Sequence, residues 1–98
     1  MPSAAVTMLD EPWRLSPDVA LRPEPFGALA YDFGTRRLTF IRRPELVTVV
    51  RGLAAGPDVR GALKGAQVPE SQWPVFVQAL ESLAAAGTIQ RRSSVTTS

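Results

Sequence analysis

Residues 27–42 constrain this chain more than any other stretch, because they sort cleanly onto two faces only when folded back at Gly34-Thr35. In that register Phe33 faces Arg36, Asp32 faces Arg37, Tyr31 faces Leu38, Ala30 faces Thr39, Leu29 faces Phe40 and Ala28 faces Ile41. One face then carries Leu29, Tyr31, Leu38 and Phe40. The other carries Ala28, Ala30, Thr39, Ile41 and an Asp32–Arg37 ion pair. Side chains alternate across a strand, so a slip of one residue scrambles both faces. The spacing predicts a β-hairpin with a two-residue loop, Gly34 supplying the positive φ that such turns require.

Upstream, Pro17, Pro23 and Pro25 punctuate the sequence. Proline donates nothing to a sheet ladder, so any strand here is short or at an edge, and Val19-Ala20-Leu21-Arg22 is the best segment for it. Downstream the period changes. Pro44 suits the first turn of a helix, and Leu46, Val49, Val50 and Leu53 follow at helical spacing until Gly56-Pro57 stops them. Asp58 to Lys64 reads as a second helix with Val59, Ala62 and Leu63 inward and Gly65 at its end. A third begins near Glu70 to Ser71, with the N-cap at Ser71 or close to it, a core stripe of Phe76, Ala79, Leu80 and Leu83, and Gly87 as C′ cap. Thr88-Ile89-Gln90 adds a short extended piece. The expected fold is α+β, three strands of an antiparallel sheet followed by three helices on one face. Residues 1–12 and 91–98 read as flexible tails around a domain at 13–90.

The chemistry on offer is narrow. Among 98 residues there is no cysteine and no histidine. That removes thiolate nucleophiles, imidazole bases, disulfides and the usual zinc, haem and iron–sulfur ligand sets. Carboxylates stand alone apart from Asp10-Glu11, and no glycine cluster makes a phosphate cradle; Gly61-Ala62-Leu63-Lys64-Gly65 lacks the Gly-Lys-Ser/Thr ending of a P-loop. An enzyme is not expected, nor a cofactor or metal. No apolar run reaches the ~18 residues of a membrane span, and no secretory signal opens the chain. A soluble cytoplasmic protein is the default expectation.

Net charge is +2, but it is unevenly spread: acids dominate residues 1–35 and bases the remainder. Lys64 is the single lysine among eleven basic residues. Arg36-Arg37 and Arg42-Arg43 bracket the third strand. They serve either to keep an edge strand from pairing indiscriminately or as an electrostatic rim for an acidic peptide or phosphates. Both readings make residues 37–42 an edge. Trp73 is either a packing residue at the start of the third helix or the aromatic wall of a peptide groove, and Val77, off the core stripe, is either simply exposed or part of the same groove. Two other functions fit the pattern less well. A DNA-binding winged helix needs a basic recognition helix, and no arginine or lysine lies between Pro69 and Ile89. A structural subunit that pairs its third strand with a second copy would use the same edge and give a homodimer.

The runs Leu21-Arg22-Pro23-Glu24-Pro25-Phe26-Gly27-Ala28-Leu29-Ala30-Tyr31, Arg36-Arg37-Leu38, Pro44-Glu45-Leu46-Val47 and Val68-Pro69-Glu70-Ser71-Gln72-Trp73 resemble the mycofactocin biosynthesis chaperones, small PqqD-like proteins. The resemblance spans residues 13–90, and Arg-Pro-Glu-Pro-Phe-Gly-Ala is its most telling part. It implies a winged-helix-like RiPP recognition element, which binds the leader of a ribosomally made precursor peptide and presents it to a radical SAM maturase. It implies that the leader adds as a strand beside Arg37, Leu38, Thr39, Phe40 and Ile41, with Arg42 in the rim, and packs against the helix holding Trp73, Phe76, Val77 and Leu80. The iron–sulfur cluster and SAM would then belong to the maturase. Neither nucleic acid nor a membrane is an expected partner.

Overall fold

The computed structural model describes residues 8–92. Its elements run β1 (Trp13–Leu15), β2 (Val19–Glu24), β3 (Gly27–Asp32), β4 (Arg37–Ile41), α1 (Pro44–Gly52), α2 (Val59–Gly65), a 3-10 turn (Glu70–Gln72), α3 (Trp73–Ala85) and β5 (Ile89–Arg91). Strands β2, β3 and β4 form an antiparallel sheet in that spatial order, and β1 pairs with β5 in a separate two-stranded sheet. The α+β architecture, a three-stranded antiparallel sheet with three helices, is as expected from the sequence.

The hairpin register is the expected one, from Asp32↔Arg37 through Ala28↔Ile41. The turn itself differs. The carboxylate of Asp32 accepts the backbone N–H groups of Gly34 (2.8 Å) and Thr35 (3.1 Å), and the N–H of Arg36 donates to the Asp32 carbonyl at 2.7 Å. The left-handed φ of 62° therefore falls on Arg36, not on Gly34. Capturing the turn in this way draws the Asp32 carboxylate off Arg37, and no Asp32–Arg37 ion pair forms among the described residues.

The buried face of the hairpin is the one with the smaller side chains. Ala28, Ala30 and Ile41 are buried, while Leu38 and Phe40 stand exposed on the other face. Small residues at Ala28 and Ala30 let Leu46, Val49 and Val50 of α1 and Leu53 just after it join the sheet in one core with Val59 and Leu63 of α2 and Val77, Leu80 and Leu83 of α3. Strand β2 runs on to Glu24 through Pro23, which an edge strand tolerates.

Each helix starts and stops for a local reason. Pro44 opens α1 as expected. Asp58 caps α2 by accepting from the Gly61 N–H at 2.8 Å. That helix ends on Gly65, as expected, and the chain turns away two residues later. Gln67 takes φ 62°, its N–H reaches the Lys64 carbonyl, and the Val68 N–H reaches that of Leu63. The third helix begins as a tight 3-10 turn; its N-cap is Gln72, next to Ser71, and no side chain bonds the helix end there. At its end Gly87 takes φ 83° while Thr88 N–H bonds the Leu83 carbonyl at 2.9 Å, the closure expected of a C′ glycine.

Both ends of the described chain are tied into the structure. Met8 is buried in the core, and Arg60 binds the Asp10 carboxylate at 3.0 Å. Glu11 accepts from the Trp13 indole at 3.0 Å and from Arg91 at 2.7 Å. The guanidinium of Arg92 donates to the carbonyls of Ala54, Gly56 and Pro57, pinning the end of β5 to the loop between α1 and α2. Packed structure thus reaches beyond residues 13–90 on either side, while 1–7 and 93–98 lie outside the described residues. No helix among the described residues is long and apolar enough to cross a membrane.

Candidate functional site

Among the described residues strand β4 is paired with β3 along one side only, and its other side is an open edge. An edge strand presents unpaired backbone donors and acceptors, which can template another strand. Its five residues alternate. Leu38 and Phe40 face outward from the sheet, and Ile41 is buried below with Thr39 half-buried beside it.

Beside that edge runs a groove of about 380 Å³ whose walls come from Thr39, Phe40 and Ile41 of β4, Arg42 and Arg43, Leu46 of α1, and Ala79, Ser82 and Leu83 of α3. A second hollow of about 270 Å³ shares Arg43 with it and reaches Phe76 and Gln72 further up α3. The pairing of an open ladder with an apolar trough suits an extended peptide: backbone hydrogen bonds hold the chain, and alternate side chains fill the trough.

The electrostatics are one-sided. Arg36, Arg37, Arg42 and Arg43 are all exposed, and none is in an ion pair among the described residues. Two of them lie against aromatic rings instead. The Arg42 guanidinium is 5.3 Å from the Phe40 ring centre, and that of Arg43 is 5.8 Å from Phe76. Glu45 is the carboxylate among the groove-lining residues. An acidic ligand would therefore meet cations whose charge is not already neutralised.

The structure divides the residues named from the sequence. Thr39, Phe40, Ile41 and Arg42 come together at the groove, with Arg37 and Leu38 exposed at the head of the same strand. Of the named helix residues, none lines that groove; Phe76 borders the second hollow, under Arg43. Trp73 is buried, donates its indole N–H to the Val68 carbonyl at 2.9 Å, and lies under the Arg60 guanidinium at 5.7 Å. Of its two readings, the structure supports packing. Val77 and Leu80 are fully buried among core residues, not along the groove.

The α3 residues that line the groove, Ala79, Ser82 and Leu83, sit on the neighbouring face of the helix. Leu83 is core, as its helical spacing predicts, and also borders the groove; Ala79 shares that spacing but is only partly buried. Small Ala79 and Ser82 leave the space that forms the trough. Among the described residues no group of acids is placed to hold a metal ion.

The sequence model of the family described as "Peptide chaperone MftB family" matches residues 12–90. Three relatives carry the name "Peptide chaperone MftB". The one from Mycobacterium ulcerans is 51% identical over 75 residues, covering 76% of this chain and 69% of the relative. That from Mycobacterium tuberculosis is 46% identical over 83 residues, covering 85% and 76%. That from Mycolicibacterium smegmatis is 51% identical over 71 residues, covering 72% and 70%. No solved structure matches. The relatives are named for chaperoning a peptide and not for a reaction. On this match the chain belongs to the MftB peptide chaperone family.

Proposed function

We propose that this chain binds the leader of a ribosomally synthesised precursor peptide by strand addition and presents it to a radical SAM maturase in mycofactocin biosynthesis, in the cytoplasm. The observation that carries this reading is the open edge of β4 with an apolar trough directly beside it. A leader segment lies along Arg37–Ile41, exchanging backbone hydrogen bonds with that edge, each worth ~0.5–1.5 kcal/mol net. Alternate leader side chains descend toward Ile41, Leu46, Ala79 and Leu83, where a well-buried apolar side chain contributes ~1.5–3 kcal/mol. Arg37 and Arg42 at the strand's two ends favour acidic residues flanking the apolar segment and speed their encounter.

Nothing in this mechanism needs a catalytic group on the chaperone; the redox cofactors belong to the maturase. A DNA-binding winged helix finds no support in α3, whose apolar face is buried and which lacks arginine and lysine.

The test is amide chemical-shift perturbation on adding a synthetic precursor leader. Shifts centred on Arg37–Ile41 and on Ala79–Leu83 are expected. A spectrum that does not respond, or responds only at the chain ends, overturns the reading. Light scattering on the same samples separates the self-paired dimer: an edge already closed by a second copy would be released as leader is added.

A further inference from the structure

Strand β4 has two faces, and the groove lies along the inner one, with Phe40 at its rim. On the other side Leu38 and Phe40, exposed to 55% and 51%, stand next to Tyr31 and Leu29 of β3, their register partners. Phe26 stacks on Phe40 with ring centres 5.8 Å apart. Phe33, 61% exposed, meets Tyr31 edge to face at 5.0 Å. The larger apolar side chains of the hairpin thus form a continuous outer surface, while its small ones are spent on the core. A contiguous apolar patch of this kind marks an interaction surface more often than bare solvent contact.

Its border is basic. Arg22, Arg36 and Arg42 are exposed around it. Glu24 at its margin pairs with Arg22 at 3.5 Å, Asp32 holds the turn through Gly34 and Thr35, and Asp18 lies beside that turn, so Arg36 and Arg42 are the border cations outside any ion pair among the described residues. A partner that fits this surface has an apolar centre and an acidic margin.

Geometry then selects the partner. A strand added to β4 has its inward side chains roofed by α3 and its outward ones bare, because side chains alternate. Those bare side chains extend the aromatic surface by one strand spacing, ~4.8 Å. The outward side is therefore where a second protein can touch the added strand's side chains, since α3 lines the inward side.

We infer that the outer sheet face bearing Tyr31, Phe33, Leu38 and Phe40 is the docking surface for the peptide-modifying enzyme. The enzyme reads it together with the outward side chains of the added peptide as one composite interface. This rests on the strand-addition reading above. It requires that peptide and enzyme strengthen each other's binding, by the reciprocity of coupled sites.

The experiment compares wild type, the double variant Tyr31→Ser/Phe33→Ser, and Arg22→Glu. Titration calorimetry measures affinity for a synthetic precursor peptide, and for the purified radical SAM maturase with and without saturating peptide. Wild type is expected to bind the enzyme more tightly when peptide is present. The double variant is expected to bind peptide within about twofold of wild type and the enzyme about tenfold more weakly, the loss of aromatic anchors at an interface centre. Arg22→Glu is expected to weaken the enzyme severalfold at low salt.

Enzyme affinity unchanged in both variants overturns the inference, as does a wild type that binds no enzyme with or without peptide. So does a wild-type dimer that the double variant converts to monomer by sedimentation, which would assign the face to a second copy. Binding of a single-stranded oligonucleotide that the double variant abolishes would assign it to nucleic acid and equally overturn the proposal. In each case intact peptide binding leaves the strand-addition reading standing, whereas a wild type that binds no peptide removes both.

Discussion

Gly27 approaches the carbonyl oxygen of Ile41 so closely that no Cβ fits between them, and it does so with a φ of 149° that other residues rarely adopt. This contact joins the start of β3 to the end of β4, where the chain leaves the open edge for α1. Gly27→Ala is expected to destabilise the fold by about 2 kcal/mol or more, since both the backbone conformation and the space oppose a methyl group. Urea denaturation followed by circular dichroism measures it. Stability within about 0.5 kcal/mol of wild type would mean that the strand ends separate at little cost.

Gln67 closes α2 in a left-handed conformation that glycine adopts more readily. Its side chain is exposed, and its backbone N–H serves the Lys64 carbonyl whatever the side chain. Gln67→Gly is expected to raise stability by up to ~1 kcal/mol, as relief of left-handed strain outweighs the added freedom of the unfolded chain. The same denaturation experiment reads it as a higher midpoint with an unchanged slope.

Thr39 and Phe40 are neighbours on β4, so their N–H groups point to opposite sides of the strand. Proline at one position removes a donor from the β3 ladder; at the other it removes a donor from the open edge. Thr39→Pro and Phe40→Pro are therefore expected to part company. One loses stability outright, and the other stays folded but loses leader affinity by about fivefold to tenfold, the worth of one backbone hydrogen bond. Equal effects of both variants on stability and on binding would argue against strand addition.

Arg37 and Arg42 mark the two ends of the open edge and are free of ion pairs among the described residues. Arg37→Glu and Arg42→Glu are each expected to weaken binding of an acidic leader severalfold at ~0.01 M salt. The loss should shrink as salt rises to ~0.15 M and the screening length falls from about 30 to about 8 Å. Affinities measured across that salt series check it. If charge reversal and salt both leave affinity unaltered, the arginines guard the edge without selecting the ligand.

Much of the fold is legible locally. Alternation around Gly34-Thr35 specifies the Asp32↔Arg37 to Ala28↔Ile41 register, and Pro44 and Gly87 mark helix ends through their own dihedral limits. The β1–β5 pairing is not legible in this way. Trp13 and Arg91 are strand partners from opposite ends of the chain, and three-residue strands carry too little pattern to announce each other. The groove is half legible: its β4 wall follows from the hairpin, but its α3 wall does not, because helical spacing groups Phe76, Ala79, Leu80 and Leu83 without saying which are covered.

The amino-acid order by itself determined the hairpin, its register and three amphipathic helices, since each depends on neighbours within a few residues. Only the tertiary structure decided that the small face of Ala28, Ala30 and Ile41 goes inward while Leu38 and Phe40 remain outside. Side-chain hydrophobicity alone favours burying the larger face. Joining α1 to the sheet in one close-packed core favours the smaller, and the helix packing prevails because every residue of that core depends on it.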